Sequence, residues 1–357
     1  LSSYAFDRGG NTYIFADDEQ NKLLFEERVP NPNVTWEVAN QANIGIEGSL
    51  LNNRLSFEFD YFNYKRSKIL WRRNASVPTS TGLTLPRENI GKVSNKGFEF
   101  NLNYQSVYNT AFRYSIGLNG GYSKNKITFW DESPGRPDYQ QSTGKPIPSD
   151  PQNPDGDLYY EAIGIFRDEA DVNKYPHWTG ARPGDIIFKD VNGDNQIDGN
   201  DRVRNDKSNI PRFTGGLSLS LGFGQFDLSM LFQGAAGAVR YIATYSGDSG
   251  NFLKDFYDNR WTTENPDSKG PRSFNRAQEY WRNNNNTYFL YSTDYVRLKN
   301  VVFSYTLPAK LVAKMRANNL RVYLSGYNLL TLSPGLKDFD PESVDPMGIS
   351  YPVQRVI

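Results

Sequence analysis

The chain has 357 residues, of which 40 are Lys or Arg and 40 are Asp or Glu, so its formal net charge is zero and it lacks the basic excess that nucleic-acid-binding proteins normally show. It contains no cysteine, which excludes disulfides and thiolate metal sites. Hydrophobic residues make up only 38% of the chain and aromatic residues 14%, and no apolar run approaches the ~18 residues of a membrane-spanning helix.

Long segments of alternating apolar and polar residues predict antiparallel strands, because successive side chains of a strand point to opposite faces. The predicted pairs are 44–61 with a turn at Asn52-Asn53, 98–118 with a turn at Val107-Tyr108-Asn109-Thr110, 211–237 with a turn at Gly222-Phe223-Gly224, and 295–328 with a helix-like segment at 309–319. There are about nine such segments, most of them of roughly 10 or more residues. A tilted membrane-spanning strand needs about 9–11 residues, whereas strands of soluble proteins usually have about 5–6.

The pair at 211–237 has the clearest pattern. Its apolar positions are Leu217, Leu219, Leu221, Phe226, Leu228, Met230 and Phe232, with Leu231 as one interruption, and its polar positions include Ser218, Ser220, Asp227 and Ser229. The pattern predicts that one face contacts lipid and that the other faces a lumen.

The connections alternate in length. They are short after Leu50, Gln105 and Leu221, and long, polar and rich in Pro, Gly and Asn after Ile69, Trp130, Ala236 and Leu330. This favours an all-β fold, an antiparallel transmembrane β-barrel with short periplasmic turns and long extracellular loops, in which residues 131–210 form one long extracellular region. The charged positions Arg54, Glu58, Asp60, Glu99 and Arg113 would crowd a narrow lumen, so the chain is expected to be one part of a wide barrel.

Residues 190–201 (DVNGDNQIDGND) resemble the twelve-residue calcium loop of an EF-hand. The oxygen-bearing positions 1, 3, 5, 7, 9 and 12 are Asp190, Asn192, Asp194, Gln196, Asp198 and Asp201, and a hard cation prefers such ligands. Asn195 stands where glycine is usual, and Asp201 is shorter than the usual glutamate. Two hypotheses therefore stay open, a structural calcium site and an ion-free acidic loop of Asx-turns.

Five tryptophans lie in or beside the predicted long loops: Trp71, Trp130, Trp178, Trp261 and Trp281. They are either aromatic residues of the membrane interface or contacts for a sugar or a protein partner, and Trp71, Trp178, Trp261 and Trp281 are the candidates for the second role. The only histidine, His177, is interpreted as a loop residue, and no set of residues predicts catalysis, so the chain is not expected to be an enzyme.

Seven short motifs, in order, resemble one known family. They are NKGFE (95–99), EAIGIF (161–166), PGDI (183–186) leading into DVNGDNQIDGNDR, PRFTGG (211–216), YVRLKNV (295–301), YLSGYNLLT (323–331) and DPE (340–342). Together they resemble the C-terminal half of SusC/RagA-type TonB-dependent outer-membrane transporters.

The resemblance implies about half of a 22-stranded barrel in the outer membrane of a Gram-negative bacterium, with the plug domain and the first barrel half outside residues 1–357. It also implies the other partners: TonB as the energy source through the missing N-terminal part, a SusD-like surface lipoprotein as a lid, and oligosaccharides or peptides as cargo. Such barrels usually end in one more strand after a YP..R motif, here Tyr351, Pro352 and Arg355. The alternative is a soluble or surface β-rich module that binds glycans and is stabilised by calcium.

Overall fold

The protein is described here by a computed structural model, which covers residues 3–6, 12–15, 19–22, 24–28, 30–73, 86–106, 111–148, 157–242, 254–273, 279–342 and 353–357. Its main feature is an eight-stranded antiparallel sheet. The strands are β5 (Val38–Leu50), β6 (Leu55–Arg72), β7 (Arg87–Gln105), β8 (Phe112–Phe129), β13 (Phe213–Phe223), β14 (Phe226–Ala236), β17 (Tyr295–Thr306) and β18 (Arg321–Leu332). Their order in the sheet is β18-β17-β14-β13-β8-β7-β6-β5.

Each sheet strand has between 11 and 19 residues, so each is long enough to cross a membrane at a tilt. The predicted antiparallel fold is confirmed, and the sheet is open, with β5 and β18 at its edges. An open edge in lipid would leave backbone N–H and C=O groups unpaired. The sheet is therefore part of a barrel, as predicted.

The shorter elements either precede β5 in the chain or lie in the connections between these strands. The ten short strands pair two by two: β1 (Ser3–Phe6) with β4 (Leu24–Arg28), β2 (Thr12–Phe15) with β3 (Glu19–Lys22), β9 (Leu158–Tyr160) with β12 (Arg202–Arg204), β10 (Ala162–Ile165) with β11 (Ile186–Phe188), and β15 (Val239–Tyr241) with β16 (Leu290–Ser292). The helices are α1 (Glu169–Lys174), α2 (Lys254–Asn259), α3 (Tyr280–Asn283) and α4 (Ala309–Lys314). No helix within the described ranges is long and apolar enough to cross a membrane.

The turns agree with the predictions at one hairpin and differ at another. Leu51, Asn52 and Asn53 all have a positive φ, which asparagine tolerates better than most residues, and they form the predicted turn between β5 and β6. The turn between β13 and β14 was predicted at 222–224 but consists of Gly224 and Gln225, because Phe223 still pairs with Phe226. The predicted turn at 107–110 lies outside the described residues.

The chain comprises two compact units, and β5 to β8 contribute residues to both. Unit 1 consists of residues 1–42, 62–96 and 125–146, and unit 2 of residues 43–61, 97–124 and 147–357. The predicted extracellular region 131–210 is thus divided between the two units at residue 146.

One face of the sheet in unit 2 carries continuous apolar rows. Strand register aligns them across β8, β13, β14, β17 and β18 as Leu118–Leu217–Phe232–Leu298–Leu330, Ile116–Leu219–Met230–Val301–Gly326, Tyr114–Leu221–Leu228–Phe303–Leu324 and Phe112–Phe223–Phe226–Tyr305–Val322. Many of these side chains are exposed, including Ile116 at 40% and Leu324 at 63%. An apolar face this large, left uncovered by the rest of the described chain, suits lipid and not water.

Aromatic side chains mark both ends of this face. At the end with the short turns, Phe112, Phe223 and Phe226 stand side by side on adjacent strands. At the other end, the ring of Phe98 stacks on the rings of Phe59 and Tyr122, with distances between ring centroids of 5.9 and 5.8 Å. Two aromatic girdles that flank an apolar band are typical of outer-membrane barrels.

Candidate functional site: the polar face of the sheet and the loop core

The opposite face of the sheet in unit 2 is lined by small and polar residues. Its rows across the same five strands are Arg113–Gly222–Asp227–Ser304–Tyr323, Ser115–Ser220–Ser229–Val302–Ser325, Gly117–Ser218–Leu231–Asn300–Tyr327 and Asn119–Gly216–Gln233–Arg297–Thr331. Leu231, the interruption in the sequence pattern, lies on this face between Ser218 and Asn300.

Two clefts lie along the polar face. One, of about 590 Å³, is lined by Glu58, Asp60 and Glu99 together with Asn101, Asn119 and Gln233. The other, of about 490 Å³, is lined by Arg113, Ser115, Ser220, Asp227, Ser229 and Arg321 among others. Four of the five charged residues that the sequence assigned to the polar face, Glu58, Asp60, Glu99 and Arg113, line these clefts.

Gly222 allows an ion pair to form across its strand. The guanidinium of Arg113 on β8 lies 3.3 Å from the carboxylate of Asp227 on β14, although β13 runs between them. A Cβ atom at Gly222 would lie 2.9 Å from Asp227 Oδ1 and 3.0 Å from Arg113 Nε. Gly222 is therefore a strand residue whose missing side chain makes room for the pair.

Arg297 on β17 is the most deeply buried charge of the polar face. Its guanidinium is 1% exposed and donates to the carboxylates of Asp340 and Glu342, while its Nε donates to Thr331 Oγ1 at 3.0 Å. Glu342 also accepts from Gln233 Nε2 at 3.1 Å. The segment after β18 is thus tied back onto the polar face of β14 and β17. The YVRLKNV and DPE motifs contained these residues, but their spacing in sequence did not predict the contact.

Residues 158–204, 254–273 and 279–295 of unit 2 contribute to a packed loop core. Its buried members are Tyr160, Phe166, Val172, Trp178, Ile186, Ile187, Phe188, Ile197, Phe256, Trp281 and Phe289. The small sheet of β10 and β11 supplies three of them, and the rings of Tyr160 and Phe188 stack at 4.7 Å. The described parts of the long connections after β8 and β14 therefore share a hydrophobic core of their own.

A buried ionic network holds this core together. The carboxylate of Asp185 is 2% exposed, and it accepts from Arg272 Nε at 2.7 Å and from Trp281 Nε1 at 2.9 Å. Arg272 also pairs with Glu279, which in turn accepts from Arg182 at 3.1 Å. Burial raises the pKa of the Asp185 carboxyl above its ordinary range, and the charge of Arg272 acts in the opposite sense.

A second carboxylate of the loop core has the opposite shift. Asp171 on α1 accepts from the backbone N–H of Arg167 at 3.1 Å and from its Nε at 2.8 Å. These bonds lower the pKa of the Asp171 carboxyl, since they favour its charged form. Both acids take part in structural ion pairs.

Two of the four candidate tryptophans lie in the loop core. Trp178 and Trp281 are 7% and 0% exposed, and they pack in the loop core. This burial gives them a structural role and leaves no free ring face for a cargo. Trp261 is partly exposed and donates to the carbonyl of Arg167 at 3.1 Å.

The remaining candidate, Trp71, lies in unit 1, where its ring packs against Trp130 at 4.3 Å. A contact with cargo or partner stays a prediction for Trp71 and Trp261. Trp36, which no sequence pattern singled out, is 89% exposed beside the start of β5.

The calcium-like loop is held by its own polar side chains. Both oxygens of Asp190 accept backbone N–H groups, from Gly193 at 2.7 Å and Asn195 at 2.9 Å. The side chains of Asn192, Asp194 and Asp198 each accept a hydrogen bond from the backbone N–H of the residue two positions later, at 2.7 to 3.1 Å. The backbone of Gln196 pairs with that of His177 in an isolated β-bridge.

The position-12 residue, Asp201, points into the protein. It is 0% exposed and accepts from Val191 and Asp198 at 2.9 and 2.8 Å. Asn195 has a positive φ of 61° and Ile197 is buried, as the loop pattern predicts. Within the described residues, no three His, Cys, Asp or Glu side chains are grouped so that they could hold a metal ion. The donor set in this conformation is therefore a poor fit for calcium, because its carboxylates cap backbone amides instead of converging.

Comparisons with known proteins agree with the two-faced sheet. Residues 3–329 match the family model described as TonB dependent receptor-like, beta-barrel. The chain belongs to this family.

Several relatives support the assignment. TonB-dependent receptor P3 of Formosa agariphila is 29% identical over 93% of this chain and 33% of its own length. TonB-dependent receptor SusC of Bacteroides thetaiotaomicron is 21% identical over 87% of this chain and 30% of its own length. Among solved structures, the RagAB peptide transporter superposes with a TM-score of 0.66 at 23% identity, over 96% of this chain and 36% of that one.

These matches confirm three predictions: the resemblance to SusC/RagA-type receptors, the partial barrel fold and the location in the outer membrane of a Gram-negative bacterium. The chain spans about a third of the length of the curated relatives that it matches. Outer-membrane barrels have short turns on the periplasmic side, an apolar outer face and a polar interior. The turn at Gly224-Gln225 is therefore periplasmic, and the polar face of the sheet is the luminal face.

Proposed function

We propose that the chain forms the C-terminal wall of a TonB-dependent importer of oligosaccharides or peptides, with a SusD-like lipoprotein as the lid over its loop core. The observation that carries the proposal is the luminal face. Small side chains and glycines line much of it, Arg113 and Arg297 are paired with carboxylates, and the carboxylates of Glu58, Asp60 and Glu99 line one of its clefts. Such a wall leaves space for a polar cargo and offers it hydrogen bonds.

The soluble glycan-binding alternative is less well supported. A soluble β-sandwich covers the apolar face of each sheet with a second sheet. In the described ranges the other sheets have only two strands each, and the apolar face of the large sheet stays exposed.

The test uses the full-length parent protein with its lipoprotein, in a host that lacks both. Growth on oligosaccharides or on peptides as the sole nutrient identifies the cargo class, and deletion of TonB should abolish it. Ser218→Trp and Ser229→Trp should slow uptake because they fill the lumen, whereas Leu219→Trp on the lipid face is the matched control. Growth independent of TonB, or equal uptake in all three variants, would contradict the proposal.

A further inference from the structure

We infer that α4 and the turn around it form an anchor for anionic phospholipid headgroups of the periplasmic leaflet. Residues 307–321 (LPAKLVAKMRANNLR) connect β17 to β18 at the end of the sheet that carries the short turns. At this end Thr306 donates to the carbonyl of Gln225, and Leu307 donates to the carbonyl of Leu320. The location follows from these contacts together with the periplasmic position of the short turns.

The segment is basic throughout. It contains Lys310, Lys314, Arg316 and Arg321 and no acidic residue. The guanidinium of Arg321 donates a hydrogen bond to Ser304 Oγ at 2.8 Å and is therefore less available to a ligand. Lys310, Lys314 and Arg316 are all exposed, and none of the three has a carboxylate within ion-pairing distance among the described residues.

The same segment also exposes apolar side chains. Leu311 is 50% exposed and Met315 62%, while Val312 is buried and fixes the helix to the protein. Leu311 and Met315 are four residues apart and so lie on one stripe, and Lys310 and Lys314 form the neighbouring stripe. An apolar stripe beside a basic one is the pattern of a helix that lies in a membrane interface.

The depth of the segment fits that location. Tyr305, Phe226, Phe223 and Phe112 form the aromatic row that marks the periplasmic edge of the apolar band. Only three residues separate Tyr305 from Ala309, so the helix begins within about 14 Å of this row. That distance reaches the headgroup layer, where lysine and arginine contact lipid phosphates.

Charge complementarity selects anionic lipid as the occupant. Each basic side chain close to an anionic surface contributes about 1 kcal/mol, equivalent to roughly a fivefold preference. The three free side chains together correspond to a preference on the order of 100-fold for anionic over zwitterionic lipid.

The experiment measures hydrogen exchange of the peptide 307–320 in the full-length parent protein. The protein is placed in nanodiscs of phosphatidylcholine alone, or of equal parts phosphatidylcholine and phosphatidylglycerol. Exchange should be at least about fivefold slower with phosphatidylglycerol. The variant K310Q/K314Q/R316Q should lose this protection, and the charge-keeping variant K310R/K314R should retain it.

The matched control is K174Q/K207Q/K269Q, which removes three exposed basic side chains outside this segment. It should behave as the unmodified protein. A gel mobility of the unheated sample that differs from that of the heated sample verifies that each variant is folded. Equal exchange in the two lipid mixtures, or an equal loss of protection in the control, would overturn the inference.

Discussion

Leu219 and Ser220 are neighbours on β13 whose side chains lie on opposite faces of the sheet. Leu219 belongs to an apolar row with Ile116 and Met230, whereas Ser220 lies between Ser115 and Ser229. Replacing each with arginine in turn tests the face assignment at nearly constant depth. We expect Leu219→Arg to destabilise the barrel far more than Ser220→Arg.

The expected cost follows from the position of Leu219. It lies four residues from Phe223 in the periplasmic girdle, which is about 13 Å along the strand. A strand tilt of about 40° reduces this to about 10 Å along the membrane normal, and the apolar band is about 25 Å tall. Leu219 is therefore within about 3 Å of the midplane, where an arginine on the lipid face costs about 2–4 kcal/mol. Ser220 borders a cleft of about 490 Å³ that can accommodate the new side chain.

The assay is urea unfolding of the full-length parent protein in phospholipid vesicles. Tryptophan fluorescence and the gel migration of unheated samples report the folded fraction. A difference of about 2–4 kcal/mol between the variants is expected. Equal midpoints, or a greater loss in Ser220→Arg, would refute the assignment of lipid and lumen to the two faces.

Three further predictions concern the loops. Arg272→Met should lower the local stability of the loop core by about 3–5 kcal/mol, because it leaves buried Asp185 without its cation. Burial raises the pKa of Asp185, so the folded state binds the proton more tightly and stability falls as pH rises through that pKa. The stability deficit of Arg272→Met, measured by hydrogen exchange, should therefore shrink as the pH is lowered and Asp185 becomes protonated, and a constant deficit would count against the pairing. Arg297→Met should speed proteolysis of 333–342 more than Arg297→Lys does, and equal rates would show that the charge does not hold this segment. Calcium chloride should leave the hydrogen exchange of the loop 190–201 unchanged, because its carboxylates already cap backbone amides, whereas slower exchange that a chelator reverses would contradict this and establish a calcium site.

The alternation of side chains was sufficient to predict the sheet and its two faces. Period two is a local property of each strand, so Leu217 and Ser218 could be assigned to opposite faces without knowledge of the neighbours. The position of the turn was less well determined, since Gly222 was interpreted as a turn residue. Its role depends on Arg113 and Asp227, which come from two other strands, and no local pattern contains that information.

The loop core could not be predicted, because its contacts join residues that are distant in sequence. Trp281 was proposed to contact cargo or partner, but it is buried against Phe289 and bonded to Asp185, which lies 96 residues earlier in the chain. Asp201 was proposed as a calcium ligand from its position in the loop, yet it is turned inward to cap backbone amides. In both cases the residue type was compatible with two roles, and burial distinguishes them.

The ion pairs of the polar face raise the question of why charges are used there at all. A buried pair rarely stabilises a protein more than apolar side chains of the same volume would. In the importer proposed above, apolar replacements are unsuitable on the luminal face, because that surface has to stay wet and must not bind cargo indiscriminately. A paired arginine such as Arg297 satisfies both needs: it fixes the segment after β18 in one position and presents no free charge to the lumen. Pairing therefore makes this part of the wall rigid and electrically neutral, and any selection of cargo by charge at the wall is expected at the cleft lined by Glu58, Asp60 and Glu99.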